Sequence, residues 1–390
     1  MTLPYLTRVL GPDVYGVVVL LTAVTLYFQL FVEGGLNYSA AKRVVEERNS
    51  ISSLNAIVGN ALLIRCLAAL VSAMALIVII FALPILREYS VLAFAYWLSA
   101  VLTALVPDFI YRGLEKMGEL SAVILGSRVL GALLVFAVVK SPEDVIWVPV
   151  SSAVASLVAL LTALWFAFKR WEIRPSFGPG AQIRSMASAA FPYLLEAVAS
   201  TAFGSLIVLF LTAYGLPSAD LAFWGASFTL IAAGQSMYGP LIISLFPRMV
   251  GAGDWRLLKR ILWIFTPAIV LGCSVVYLWS DSIILLVFGE DFAGAAPVLR
   301  GLLPVLVFSF PALLLGAPVL GTMGRASAVA STTLLSGATL FASIWLLVSL
   351  DAVTVGNIAL LRSLAELILL VSRVLLVVRY RRETKLPPAL

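Results

Sequence analysis

The chain is built from apolar blocks of about 20 residues or more, separated by short polar runs. At 1.5 Å per residue, a block of that length spans a hydrocarbon core as a helix. The blocks fall approximately at 14–38, 54–84, 89–113, 120–139, 145–168, 188–213, 219–246, 258–280, 296–320, 326–350 and 353–378. They lack the polar–apolar alternation of outer-membrane barrel strands, so helices remain as the way to satisfy every backbone group inside lipid. Charged residues make up 12% of the sequence and hydrophobic residues 62%. A soluble domain carries about twice that charged fraction, so this chain has too little polar surface to face water. The expected fold class is an all-α integral membrane protein that crosses its bilayer about eleven times.

The basic residues sort by loop. One set of alternate loops holds Lys42, Arg43, Arg48, Arg112, Lys116, Lys169, Arg170, Arg174, Arg184, Arg248, Arg256, Lys259, Arg260 and Arg325, followed by the basic tail from Arg379 to Lys385. The other set holds only Arg8, Arg87 and Lys140. By the positive-inside rule the first set is cytoplasmic, which puts the C-terminus in the cytoplasm of a multi-pass plasma (cell inner) membrane protein. Trp147 and Trp279 lie near expected outer boundaries, and Trp165, Trp171 and Trp255 near inner ones, as an aromatic belt requires. The net charge of +6 is in this setting a topology signal and does not suggest nucleic acid as a partner.

The two halves repeat. Residues 114–123 read LEKMGELSAV and residues 320–329 read LGTMGRASAV, six identities at a constant offset of 206. A looser match pairs Leu6-Thr7 and Tyr15-Gly16 with Leu211-Thr212 and Trp224-Gly225. Both matches join loops of the same side, so the repeat is parallel, about a pseudo-twofold axis along the membrane normal. The expected organisation is an N-terminal lobe at 1–168, a polar cytoplasmic linker at 169–187 and a C-terminal lobe at 188–390. Offset 206 sets Met1 against Ile207, well inside the helix at 188–213, so the first lobe is expected to hold only a remnant of its first helix. A misassigned start, a shortened chain or a genuine five-plus-six protein would each give this pattern.

Several chemistries are excluded by residue usage. The chain has no histidine, which removes the usual metal ligand and proton shuttle. Its two cysteines, Cys66 and Cys273, each lie within an apolar block and read as small core residues. No metal site and no cofactor are expected. The sequence shows no phosphate-cradling loop of the ATPase type and no catalytic constellation in a loop, so it does not read as an enzyme. A membrane-embedded glycosyltransferase would need clustered catalytic carboxylates in a loop.

Leu3-Pro4-Tyr5-Leu6-Thr7-Arg8-Val9-Leu10-Gly11-Pro12 with Tyr15-Gly16 resembles the opening of the Wzx-type polysaccharide (O-antigen) flippases. These are members of the multidrug/oligosaccharidyl-lipid/polysaccharide (MOP) exporter superfamily. Further matches follow in family order: Phe31 to Asn37 with Ser39-Ala40, Tyr111 to Met117, Leu245-Phe246-Pro247-Arg248, and Phe288 to Phe292 with Ala295 to Arg300. The resemblance implies a MATE-like fold of two six-helix lobes around a cavity that opens inward and outward by turns. It also implies an isoprenoid-diphosphate-linked oligosaccharide as substrate, moved from the cytoplasmic to the outer leaflet for polysaccharide assembly. Implied partners are that lipid-linked oligosaccharide, membrane lipids, H+ or Na+ as coupling ion, and polysaccharide assembly proteins. The competing reading within the superfamily is a cation-coupled multidrug antiporter, and the sign of the cavity separates the two. Arginines favour the first and unpaired carboxylates the second.

Charges at bilayer depth are costly and usually face a cavity or a partner. Arg362, Glu366 and Arg373 share one stripe of the last helix. They form either an anion-attracting wall or an Arg362–Glu366 pair, with Arg373 snorkelling to the cytoplasmic headgroups. Arg65 and Arg128 either hold a diphosphate bidentately or pair with an intramembrane carboxylate such as Glu33, Asp108 or Glu196. Glu33 precedes two glycines, where the helix can bend and backbones can approach. Glu33, Glu196 and Glu366 are candidates for coupling or gating. Gln235 and Tyr238 offer either hydrogen bonds to sugar or a polar helix–helix contact.

Overall fold

The computed structural model describes residues 2–82, 84–239, 241–242, 255–323 and 325–383, which are helical almost throughout and contain no strand. Each expected block meets a helix, or the described part of one. Eight helical stretches among the described residues are long and apolar enough to cross a bilayer. The last helix, which carries Arg362, Glu366 and Arg373, is not one of the eight. The Arg248 loop and Lys385 of the basic tail lie outside the described residues.

The chain forms two compact units, Met1–Leu216 and Pro217–Leu390. In the first, α1 (Leu3–Glu33) is bent where Gly11 takes a left-handed φ of 69° before Pro12, so Leu3 to Leu10 form a separate helical stretch. It leads to α2 (Leu36–Glu46), α3 (Ile51–Ala82), α4 (Ser90–Leu105), α5 (Met117–Val138), α6 (Trp147–Arg170) and α7 (Gly180–Ala213). A short helix, Asp108–Gly113, links α4 to α5. Helix α6 packs on both α4 and α5. Its buried Ala155, Ala159, Ala163 and Ala167 recur every four residues and form one smooth stripe. Small residues let helices approach closely where lipid supplies no hydrophobic drive.

The second unit contains α8 (Ser218–Ser236), α9 (Trp255–Leu278), α10 (Ala295–Leu315), α11 (Ala326–Ser349) and α12 (Val355–Glu383). Helix α10 is central, in contact with α8, α9 and α12, and α11 packs on α12. The offset of 206 read from the sequence carries α3, α4, α5 and α6 onto α9, α10, α11 and α12, so the repeat extends from a ten-residue motif to the helix order of both units.

Helix α7 begins at Gly180, inside the expected linker, and packs against α1, α2 and α3, so the compact units part after Leu216. The connector before it is also held in place: Ile173 is buried, Ser176 N donates to Asn55 O at 3.0 Å and Gly178 N donates to Asn60 Oδ1 at 2.9 Å. Arg170 pairs with Glu119 at 3.4 Å and Arg43 donates to Ser185 Oγ at 2.8 Å, so the basic loops of this unit gather at one end. At the other end Tyr5 donates from its hydroxyl to Val139 O at 2.6 Å, beside Lys140.

Candidate functional site

A cavity of about 740 Å³ opens within the first unit between α1, α4, α5 and α6. Its wall is apolar with hydroxyls set into it: Thr22 and Thr25 of α1, Ser99 and Thr103 of α4, and Ser152 and Ser156 of α6. Thr103 and Ser156 share a hydrogen bond of 2.8 Å across the α4–α6 seam. Arg128 of α5 lines the same space, is exposed, and has no hydrogen-bond or ion-pair partner among the described residues. It stands halfway along α5, about 16 Å from either end at 1.5 Å per residue. A guanidinium at that depth costs about 3 kcal/mol relative to water, so it calls for a wet cavity or an anion.

One end of the cavity is formed by a chain of polar groups that runs from half-buried Glu33 through buried Arg65 to exposed Arg112. Glu33 accepts from Gln29 Nε2 at 2.9 Å and from Asn37 Nδ2 at 3.0 Å. Asn37 Oδ1 in turn accepts from Arg65 Nη2. Arg65, fully buried on α3, donates through Nη1 to Val106 O at 2.8 Å and lies 3.6 Å from Asp108 Oδ1. Arg112 Nε donates to the other Asp108 oxygen at 3.1 Å. Of the alternatives open for Arg65, the structure has the pair with Asp108, while Arg128 has no ion pair among the described residues. Glu33 faces the cavity but is held by two neutral amide donors. The glycines after it do what their sequence suggests: Gly34 and Gly35 adopt φ of 59° and 72° and turn α1 into α2.

In the second unit, Arg362 Nη2 donates to Glu366 Oε1 at 2.7 Å and both side chains are buried. Arg373 departs from the expected snorkelling. Its guanidinium is buried, donating to Ala312 O at 2.7 Å and to Thr333 Oγ1 at 3.1 Å, because carbonyl and hydroxyl oxygens are within reach inside the unit. Gln235 donates to Ser309 Oγ at 3.1 Å and the Tyr238 hydroxyl donates to Leu306 O at 2.8 Å, both polar contacts between α8 and α10 or the turn that follows α8. Glu196 lies on α7, but its side chain is outside the described residues.

Sequence reasoning missed Gln29, Thr103 and Ser156, since single hydroxyls and amides in apolar blocks stand out little. The repeat held the signal. At offset 206 these residues align with Gln235, Ser309 and Arg362, and Gln235 and Ser309 touch in their own unit as Thr103 and Ser156 do in theirs.

Comparison with known proteins places this geometry. A protein named "Putative O-antigen transporter" from Escherichia coli (strain K12) is 24% identical over 250 residues, 64% of this chain and 60% of that protein. The chain thus spans less than two thirds of that relative's length. Among solved structures, the inward-facing conformation of a multidrug resistance MATE family transporter of the MOP superfamily matches with a TM-score of 0.76 at 13% identity, covering 99% of this chain and 96% of that one. The lipid II flippase MurJ, in an inward closed conformation, matches with a TM-score of 0.71 at 14% identity, covering 96% and 85%. At such identities these two likenesses establish the fold alone. The family model described as "Polysaccharide biosynthesis protein" matches residues 1–252, well over half of the sequence and the whole of the cavity-bearing unit. The chain belongs to the polysaccharide biosynthesis protein family.

Proposed function

We propose that the protein is a flippase, a transporter and not an enzyme, for an isoprenoid-diphosphate-linked oligosaccharide. It moves the glycan lipid from the cytoplasmic to the outer leaflet of the cell inner membrane by alternating access, with its C-terminus in the cytoplasm. The observation that carries this reading is Arg128, a cation with no hydrogen-bond or ion-pair partner among the described residues, at mid-depth of a cavity lined with hydroxyls. A guanidinium binds a diphosphate through two parallel N–H donors and stays charged at any physiological pH. Thr22, Thr25, Thr103 and Ser156 offer hydrogen bonds to sugar, while the isoprenoid tail stays in lipid. The carboxylates at the cavity end are engaged, Asp108 by two arginines and Glu33 by two amides. That balance favours an anionic cargo over the cationic drug of the competing antiporter reading. The name of the Escherichia coli relative, which speaks of O-antigen transport, and the family description support the same substrate class. Glu33 is the candidate for coupling to H+ or Na+, and polysaccharide assembly proteins are the proposed downstream partners.

The test is reconstitution of the full-length protein in vesicles with fluorescent diphosphate-linked glycan. Translocation by the wild type, lost in Arg128→Ala, is the expected result. Vesicles that expel cationic dyes but move no glycan lipid would overturn the assignment.

A further inference from the structure

Two of the arginines that the sequence offers as cavity candidates make buried contacts at equivalent points of the two units. In the first unit α4 ends at Leu105, and Pro107, which has no N–H, interrupts the helix before Asp108–Gly113. The carbonyl of Val106 is turned out of the helical ladder, and it accepts Asp108 N at 2.8 Å and Arg65 Nη1 at 2.8 Å. In the second unit α10 ends at Leu315 and passes into a π-helical turn, Gly316–Gly321. There Ala312 O accepts Gly316 N and, at 2.7 Å, Arg373 Nη1. Val106 and Ala312 are separated by the repeat offset of 206.

The cause of the break differs between units, a proline in one and a π-turn in the other. So does the source of the arginine, α3 in one and α12 in the other. The contact is nevertheless shared: a buried guanidinium on a carbonyl just past the end of α4 in one unit, and in the last turn of α10 in the other, where that carbonyl also keeps its ladder bond from Gly316 N. Both breaks lead directly into the segments that match best between the halves, 114–123 and 320–329. Gly316 makes the second contact possible, since a Cβ there would stand 2.8 Å from Arg373 Nη1.

We infer that Arg65 and Arg373 are matched positioning residues: each braces the end of one helix, α4 in the first unit and α10 in the second, and fixes the entry of the repeated inner-end segment, without touching the transported molecule. The brace supplies a charge-assisted hydrogen bond to the second lone pair of a carbonyl that already accepts one backbone N–H. A guanidinium suits the task because its remaining N–H groups can hold neighbouring side chains at once: Asn37 and Asp108 in the first unit, Thr333 in the second.

The inference is tested by hydrogen-exchange mass spectrometry on the full-length protein in nanodiscs, together with the glycan translocation measurement. Arg65→Gln is expected to raise exchange at least tenfold within 106–113 and to leave 312–323 unchanged, and Arg373→Gln to do the reverse. Arg65→Lys and Arg373→Lys, which keep one donor to the carbonyl, restore part of the protection. Gly316→Ala, which leaves Arg373 in the chain but pushes its guanidinium away, reproduces the Arg373→Gln pattern even if that variant fails to fold. In translocation the glutamine variants lower the maximal rate and leave the half-saturating glycan concentration unchanged. The inference is overturned if exchange rises evenly across a unit, if both breaks stay protected, or if the glutamine variants lose glycan binding while the breaks stay protected. Arg128→Ala separates this from the functional proposal, because it weakens glycan binding with both breaks still protected. The exchange arms decide the matter even if no glycan lipid is moved.

Discussion

At the scale of single residues, the sequence shows which side chains are expensive, and only packing shows which of them are already compensated. Arg65 and Arg128 look alike in their apolar blocks, yet Arg65 is fully buried among Asn37, Val106 and Asp108 while Arg128 faces open space. The partners of Arg65 lie 28 and 41 residues away, beyond the reach of any local pattern. Removing a charge-assisted bond to substrate costs about 1.5–3 kcal/mol, so Arg128→Ala is expected to slow glycan translocation by about 10- to 100-fold and raise the half-saturating concentration. Arg128→Lys keeps the point charge but not the fork, so its loss falls between wild type and alanine. Equal rates in all three, measured in the same vesicles, would remove Arg128 from the site. Tyr238 is the contrasting case. Its hydroxyl is taken up by Leu306 O, so Tyr238→Phe should leave translocation intact and lower thermal stability by about 1 kcal/mol.

At the scale of elements, apolar length locates the spanning helices, and the misses lie where a helix is not apolar. Helix α2 (Leu36–Glu46) and the first turns of α7 are amphipathic, and they read as loop because their polar faces interrupt the hydrophobic blocks. Their apolar sides are spent at the basic end of the first unit, where Leu36, Ala40, Val44, Met186 and Ala190 join one core. The turn between α1 and α2 is the tightest point of that packing. Gly35 has φ of 72°, and a Cβ there would lie 2.3 Å from Ala190 O and 2.7 Å from Leu194 N, both backbone atoms of α7. Gly35→Ala therefore combines left-handed strain of about 1–2 kcal/mol with a clash that no rotamer relieves. Its melting temperature in detergent should fall by several degrees. Gly126, mid-way along α5, is the matched control, because a Cβ added there would meet nothing within 4 Å. Gly126→Ala should be neutral or gain up to about 1 kcal/mol from helix propensity. Comparable losses in both variants would mean that the close approach at Gly35 is not what holds α7.

At the scale of the whole molecule, the fold was legible because two regularities run the length of the chain, apolar period and the offset of 206. The orientation rests on a third, the sorting of lysine and arginine, and within the first unit that sorting is now spatial. Arg43 of α2, Arg112 of the short helix Asp108–Gly113 and Arg170 at the end of α6 lie where α2, the start of α3 and the start of α7 pack together. Lys140 lies at the opposite end, beside Val139 and Tyr5. Moving Arg or Lys through the hydrocarbon core is costly, so the end rich in basic residues is proposed to stay in the cytoplasm. Single cysteines report this directly once Cys66 and Cys273 are replaced by serine. Lys140→Cys should react with a membrane-impermeant maleimide in intact cells, and Lys169→Cys only after the cells are permeabilised. The opposite pattern would invert the protein in the membrane. It would also invert the proposed direction of transport, because the chain of polar groups from Glu33 to Arg112 sits at the same end of the cavity as the basic loops. A correct labelling pattern therefore fixes that cluster as the cytoplasmic mouth, where a diphosphate-linked glycan arriving from the cytoplasmic leaflet meets Arg112 first and Arg128 at mid-depth after it.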